Sequence, residues 1–146
     1  MISQALFSSR RDDWETPQDF FRALDAEFHF TLDAAASPDN AKCARYYTPE
    51  DNGLSQKWGG CCWCNPPYGR DVGRWVRKGL ESAESGATVV MLLPARTDTR
   101  WFHELIYGRA EIRFVRGRLH FGGSSLSAPF PSMVVIFRPP ERSNKP

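Results

Sequence analysis

The stretch ATVVMLLPA, residues 87–95, carries a single polar residue, Thr88. A strand with one wet face alternates apolar and polar side chains, because successive residues point to opposite sides. One that is apolar throughout must be covered on both faces, which is the position of inner strands in layered α/β folds. The flanking sequence fits that frame. DVGRWVRKGLESAESG reads as a helix with Asp71 as N-cap, Val72, Trp75, Val76, Gly79, Leu80 and Ala83 on one face, and Gly86 as its stop. DTRWFHELIYG reads as a helix capped by Asp98 and ended at Gly108. TPQDFFRALDAEF offers another, with Thr16 as N-cap, Pro17 at the first helical position, and Phe20, Leu24 and Phe28 spaced i, i+4, i+8. FTLDAAAS, CCWCN, AEIRFVRG and SMVVIFRP read as the other strands, the last two joined by a long loop over residues 117–131. This alternation predicts an α/β fold, a mostly parallel sheet with helices on both faces. At 146 residues the chain has the size of one domain with one core.

Ligands of such sheets bind beyond the carboxyl ends of the strands. Asp33 and Asn65 both fall at such ends. Asn65 opens the tetrapeptide Asn65-Pro66-Pro67-Tyr68. Two consecutive prolines stop a strand, since each fixes φ and neither donates a ladder hydrogen bond. The residue before a proline is driven into the extended region, so the Asn65 side chain is aimed outward. Its oxygen can accept one hydrogen of an exocyclic amine, and the Pro66 carbonyl, without a ladder partner, can accept the other. Two acceptors on one NH2 draw the nitrogen out of conjugation, as an adenine amine requires before it attacks a methyl carbon. Tyr68 offers a ring for a base to stack on, a contact of ~1–3 kcal/mol. The plainer account of the same residues is a proline-rich turn with Tyr68 in local packing.

No apolar run approaches the roughly 20 residues of a membrane span. The beginning MISQALFSSRRDD has no apolar segment followed by a small-residue cleavage site, so a cytoplasmic location, in a bacterium or a phage-infected host, is expected. Fifteen Arg stand against four Lys; Arg is the better fork for phosphate, although an Arg-favouring coding sequence gives the same bias. Cys61, Cys62 and Cys64 crowd one strand, where alternation sends them to opposite faces, and Cys43 is apart. Paired zinc knuckles have a different spacing, so reduced buried thiols and no metal are expected.

Asn65-Pro66-Pro67-Tyr68 resembles motif IV of the S-adenosylmethionine-dependent amino-methyltransferases. The wider pattern DDWETPQDFF…FTLDAAASPDNAKCARYYTPEDNGLSQKWGGCCWCNPPYGR is similar to the small phage-type DNA N6-adenine methyltransferases, over about residues 13–138. The resemblance implies a three-layer class I methyltransferase (Rossmann-like) sheet, mostly parallel with an antiparallel last strand. Residues 1–12 and 139–146 would be flexible ends around a catalytic domain at 13–138. It further implies S-adenosyl-L-methionine as cofactor and adenine of DNA as substrate, with the base flipped from the duplex. Asn65, Pro66 and Tyr68 would be catalytic. Trp14, Thr16 and Pro17 would line the methionine end of the cofactor. Asp33 would hold the methionine ammonium, followed by Ala34, Ala35 and Ala36 where the family's loop has glycines. Glu50 and Asp51 would reach the ribose hydroxyls or the adenine amine, with Asp51 favoured for the amine. Phe130, then Phe121, would supply the second wall for the target base. Only 31 residues (34–64) separate Asp33 from Asn65, too few for two full strand–helix units, so the middle of the fold should be abbreviated.

Two other readings stay open on these residues. The two-acceptor chemistry would equally serve a protein glutamine amide or an RNA base. A non-catalytic nucleic-acid- or zinc-binding module is the third reading, and two polar residues at neighbouring strand ends speak against it. Recognition sequence and oligomeric state leave no mark in the sequence.

Overall fold

The computed structural model describes residues 14–123 and 127–141. Helix α1, Gln18–Phe28, leads into a two-residue strand β1, Leu32–Asp33. Two 3-10 turns, Pro49–Asp51 and Gly53–Ser55, precede β2, Cys61–Cys64. Helix α2, Val72–Glu84, then β3, Thr88–Pro94, a π-helical turn Phe102–Ile106, β4, Glu111–Phe114, and β5, Ser132–Phe137, follow. The five strands form one mixed sheet in the order β1-β2-β3-β5-β4. β1, β2 and β3 are parallel neighbours, and β5 runs antiparallel to both β3 and β4.

Register decides which face each residue occupies. Trp63 pairs with Val90, and Val90 with Ile136, so these three side chains share one face. Cys62, Val89 and Phe137 share the other. On the first face α1 places Phe21 against Trp63, ring centroids 5.3 Å apart, and Phe30 joins at 5.5 Å. On the second, α2 crosses so closely that a Cβ built at Gly79 would stand 2.9 Å from Met91 Sδ and 3.4 Å from Val89 Cγ1. β3 is therefore covered on both sides, and Val89 through Leu93 are fully buried. At the far edge, Arg113 reaches across from β4 to Glu27 of α1 in a bidentate pair of 2.7 and 2.8 Å, with its guanidinium over the Phe28 ring.

Three local expectations change. Thr16 does not cap α1: Pro17 stands at the cap, its carbonyl accepts from Phe21 N at 3.0 Å, and the Thr16 hydroxyl is used elsewhere. On α1 the inward residues are Phe21 and Leu24, while Phe20 and Phe28 are half-buried. The helix after β3 is capped by Thr99, whose hydroxyl accepts from Phe102 N at 3.2 Å, and not by Asp98. It widens to π geometry, with Tyr107 N reaching back five residues to the Phe102 carbonyl at 2.8 Å. Most of the expected frayed ends lie outside the described residues.

Gly79→Val tests the close α2–β3 crossing. It should lower unfolding free energy by about 1–3 kcal/mol through overpacking, read by chemical denaturation. Unchanged stability would mean that α2 can lift from the sheet freely.

Candidate active site

Asp33 and Asn65 come together at the carboxyl edge because β1 and β2 are parallel, with Asp33 opposite Trp63, two residues before Asn65. Beyond Asp33 the chain folds back: Asp33 N donates to Arg45 O and Tyr47 N to Asp33 O, each at 3.0 Å, so that residues 45–47 extend the sheet edge. A cavity of about 410 Å³ opens between this returning loop and the end of β2, a size within the range of small-molecule sites. Trp14, Thr16, Asp33, Ala34, Ala35 and Asn65 all line it.

The Asp33 carboxylate is buried, accepting from Lys42 N at 2.9 Å through Oδ2 and from Ala35 N at 3.3 Å through Oδ1. Loss of solvent pushes its pKa up to about 6, with the two backbone N–H groups offsetting part of that rise. A cation beside it would favour the charged form.

Asn65 is held differently. Its Nδ2 donates to the Thr16 hydroxyl at 2.9 Å and to the Trp14 carbonyl. A carbonyl can only accept, so the amide cannot be turned over without setting oxygen against oxygen. Oδ1 is left buried and, among the described residues, without a hydrogen-bond partner. Buried polar atoms are nearly always paired, and one that is not marks a place for a ligand donor.

Tyr68 sits behind this group, with its hydroxyl donating to the Leu92 carbonyl at 2.9 Å. Burial raises the phenol well above its ordinary pKa. Tyr68 lines a second cavity of about 370 Å³ together with Trp14, Phe130 and Trp101. Phe130 stands edge-on to both Trp14 and Tyr68, at 5.3 and 5.4 Å. Trp14 belongs to the walls of both cavities, so the two adjoin.

Other expected residues fall elsewhere. Phe121 is buried against Trp14 and Phe130 and lines neither cavity. Pro66 is buried and also lines neither, whereas Pro67 lines the first. Pro17 starts α1. Glu50 and Asp51 are exposed and outside the first cavity. Asp51 caps its own turn, accepting from Thr48 N at 2.8 Å and from the Thr48 hydroxyl at 3.0 Å. The cavity wall there is made by Thr48, Pro49, Asn52 and Gly53. A Cβ at Gly53 would lie 2.5 Å from the Ala34 carbonyl, and Asn52 takes a positive φ of 55°. The Asn-Gly dipeptide is a turn signal readable in sequence.

The four cysteines are free thiols. Burial pushes Cys43 and Cys62 up to about 12, so both stay protonated. Among the described residues, no group of three or more His, Cys, Asp or Glu is placed to hold a metal ion. No described helix is long and apolar enough to cross a membrane.

The family model described as DNA N-6-adenine-methyltransferase (Dam) matches residues 3–144. The DNA N-6-adenine-methyltransferase of Haemophilus phage HP1 is 34% identical over 140 residues, 90% of this chain and 81% of the relative. The protein of the same description from Escherichia phage T1 is 39% identical over 113 residues, 75% of this chain and 47% of the relative. The chain thus spans about half the length of the phage T1 protein.

The Asp33 environment has a consequence for stability. Between the ordinary carboxyl pKa of about 4 and about 6, the folded chain binds a proton that the unfolded chain has released. Stability should therefore fall as pH rises through that window, by an amount of order 3 kcal/mol at most. Asp33→Asn should flatten this slope in urea titrations between pH 4 and 7. An equal slope in the variant would place the titration at another group.

Proposed function

The chain belongs to the Dam family of DNA N-6-adenine-methyltransferases, and from that premise we propose that it transfers a methyl group from S-adenosylmethionine to the N6 amine of adenine in DNA. The observation that carries the reading is the Asn65 amide, fixed through Nδ2 and presenting an unpartnered, buried Oδ1. The family implies a methyl donor, and the first cavity suits this one. Its lining includes Asp33, which would hold the ammonium, together with Ala34, Ala35, Asn52 and Gly53. Gly53 leaves room against the Ala34 carbonyl that a side chain would fill. When bound, the cofactor supplies a methyl carbon on a positively charged sulfur, which departs with the bonding electron pair.

The residues of the chain then have distinct tasks. Tyr68, Trp14 and Phe130 would receive the flipped adenine in the second cavity, with stacking replacing what the base loses in the duplex. Asn65 Oδ1, in the wall of the first cavity where the two adjoin, would accept one N6 hydrogen; the Pro66 carbonyl is the expected second acceptor, although Pro66 lines neither cavity. The nitrogen lone pair, freed from the ring, would attack the methyl carbon, and the amine would afterwards lose one proton to water. Asp33 would remain ionised opposite the cofactor's ammonium. The sheet order and the single reversed strand support the class I methyltransferase arrangement, with the segment between β1 and β2 reduced to turns. DNA as the polymer is favoured over RNA or a protein amide by the names of both phage relatives.

Two variants at one position test the chemistry. Asn65→Ala removes a preorganised acceptor and should cost roughly 10²–10³ in methyl transfer, while cofactor affinity by calorimetry changes by less than about tenfold, or ~1.4 kcal/mol. Asn65→Asp keeps an acceptor but sets an oxygen against the Trp14 carbonyl, an unpaired contact costing ~1–3 kcal/mol. Its rate at neutral pH should be at least about tenfold low and should recover as pH falls, because a protonated carboxyl can donate to that carbonyl. Parental rates for Asn65→Ala would sink the two-acceptor mechanism. Loss of cofactor binding together with rate would make Asn65 a cofactor ligand.

A further inference from the structure

The two cavities differ in charge. The first is lined by two carboxylates, Glu15 and Asp33, against one ammonium, Lys42, which donates to Gln18 Oε1 at 2.9 Å. Among the described residues the second has a single charged side chain in its wall, the exposed Arg96. The backbone carrying Arg96 is braced on both sides. Ala95 N donates to Pro131 O at 2.8 Å, and the Thr99 hydroxyl donates to Arg96 O at 2.8 Å. Arg70 directly follows Gly69, another residue of the same wall, and is exposed as well.

Four guanidinium groups thus occur in the segments bordering this cavity. Arg74 faces Asp71 at 3.9 Å and Arg100 faces Glu104 at 3.3 Å, so their charge is compensated. Neither Arg70 nor Arg96 forms an ion pair with a described residue. An uncompensated guanidinium on a braced strand end, at the opening of an aromatic-walled cavity, is matched to a phosphodiester, whose two oxygens fit the fork. We propose that Arg70 and Arg96 clamp the DNA backbone at the rim of the second cavity, on either side of the nucleotide whose base enters it. The inference rests on the proposed function and adds the face of the chain on which the strand lies. It also assigns opposite electrostatic preferences to the two openings, one taking the cationic cofactor and the other the polyanion.

The test measures duplex DNA binding by fluorescence anisotropy across a salt series, with cofactor affinity and methyl transfer followed on the same preparations. Each phosphate contact contributes about 0.9 to the slope of log affinity against log salt. Arg70→Gln and Arg96→Gln should each lower that slope by roughly one, and the double variant by roughly two. Cofactor affinity should stay within about twofold of wild type, since neither residue lines the first cavity. Arg22→Gln, an exposed arginine of α1 paired with Asp19 and lining neither cavity, should leave the slope unchanged. A wild-type chain that methylates DNA while both variants keep the full slope overturns the clamp alone. An equal drop at Arg22 does the same, because the effect would then be one of overall charge. A wild-type chain that neither binds nor methylates DNA overturns the proposed function and the clamp with it.

Discussion

The parallel register of β1, β2 and β3 governs everything at the carboxyl edge. β1 is only two residues long, yet Leu32 opposite Cys62 and Asp33 opposite Trp63 fix both its position and its facing. A slip by one residue would exchange Leu32 and Asp33 between faces. The carboxylate would then turn toward the side on which α2 packs, where Val89 and Met91 leave it no donor. In the observed register it meets the Ala35 and Lys42 amides. Because the three strands run the same way, their exits stand side by side. The loop after Asp33 walls the first cavity, the Asn65–Tyr68 turn divides it from the second, and the segment after Pro94 closes the second. A buried strand β3, apolar on both faces, is what forces this alignment.

The fold was largely readable because its elements are dictated by short-range periodicity. Each strand expected from the sequence has its counterpart, down to the two-residue β1, and α2 stops at Gly86 with a φ of 118°. Asp33 and Asn65 were recognisable as a pair because chain direction alone sends both to one edge. Thr16 was not readable in the same way. Its spacing before Gln18 is that of a helix cap, and only a contact 49 residues away in sequence gives its hydroxyl to Asn65 instead. Asp51 is the opposite case: a neighbour three residues away, Thr48, donates to its carboxylate through both backbone and hydroxyl. Local hydrogen bonds of this kind compete with any long-range assignment made from residue type. The π turn after β3 had no sequence signature at all.

The clamp on Asn65 joins the two ends of the site. The N-terminal segment touches the first cavity through Thr16, both cavities through Trp14, and the Asn65 amide through both residues. In the proposed reaction, placement of the adenine acceptor would thereby be tied to the same backbone that borders the cofactor cavity.

In the proposed reaction, the neutrality of Asn65 would matter for rate. A carboxylate at this point would attract the positively charged donor before reaction and so stabilise the ground state, which lowers no barrier. A neutral amide oxygen interacts weakly with an uncharged amine. As the N6–carbon bond formed, positive charge would pass to the nitrogen, its hydrogens would become better donors, and a contact to Oδ1 would become charge-assisted. Such bonds are about twice as strong as neutral ones, so the gain falls mainly in the transition state. The Trp14 carbonyl and the Thr16 hydroxyl hold Nδ2, which would keep Oδ1 in place while the charge moved, with no reorganisation at that moment. The buried carboxylate, Asp33, lies on the adjacent strand, where an anion would assist binding rather than chemistry.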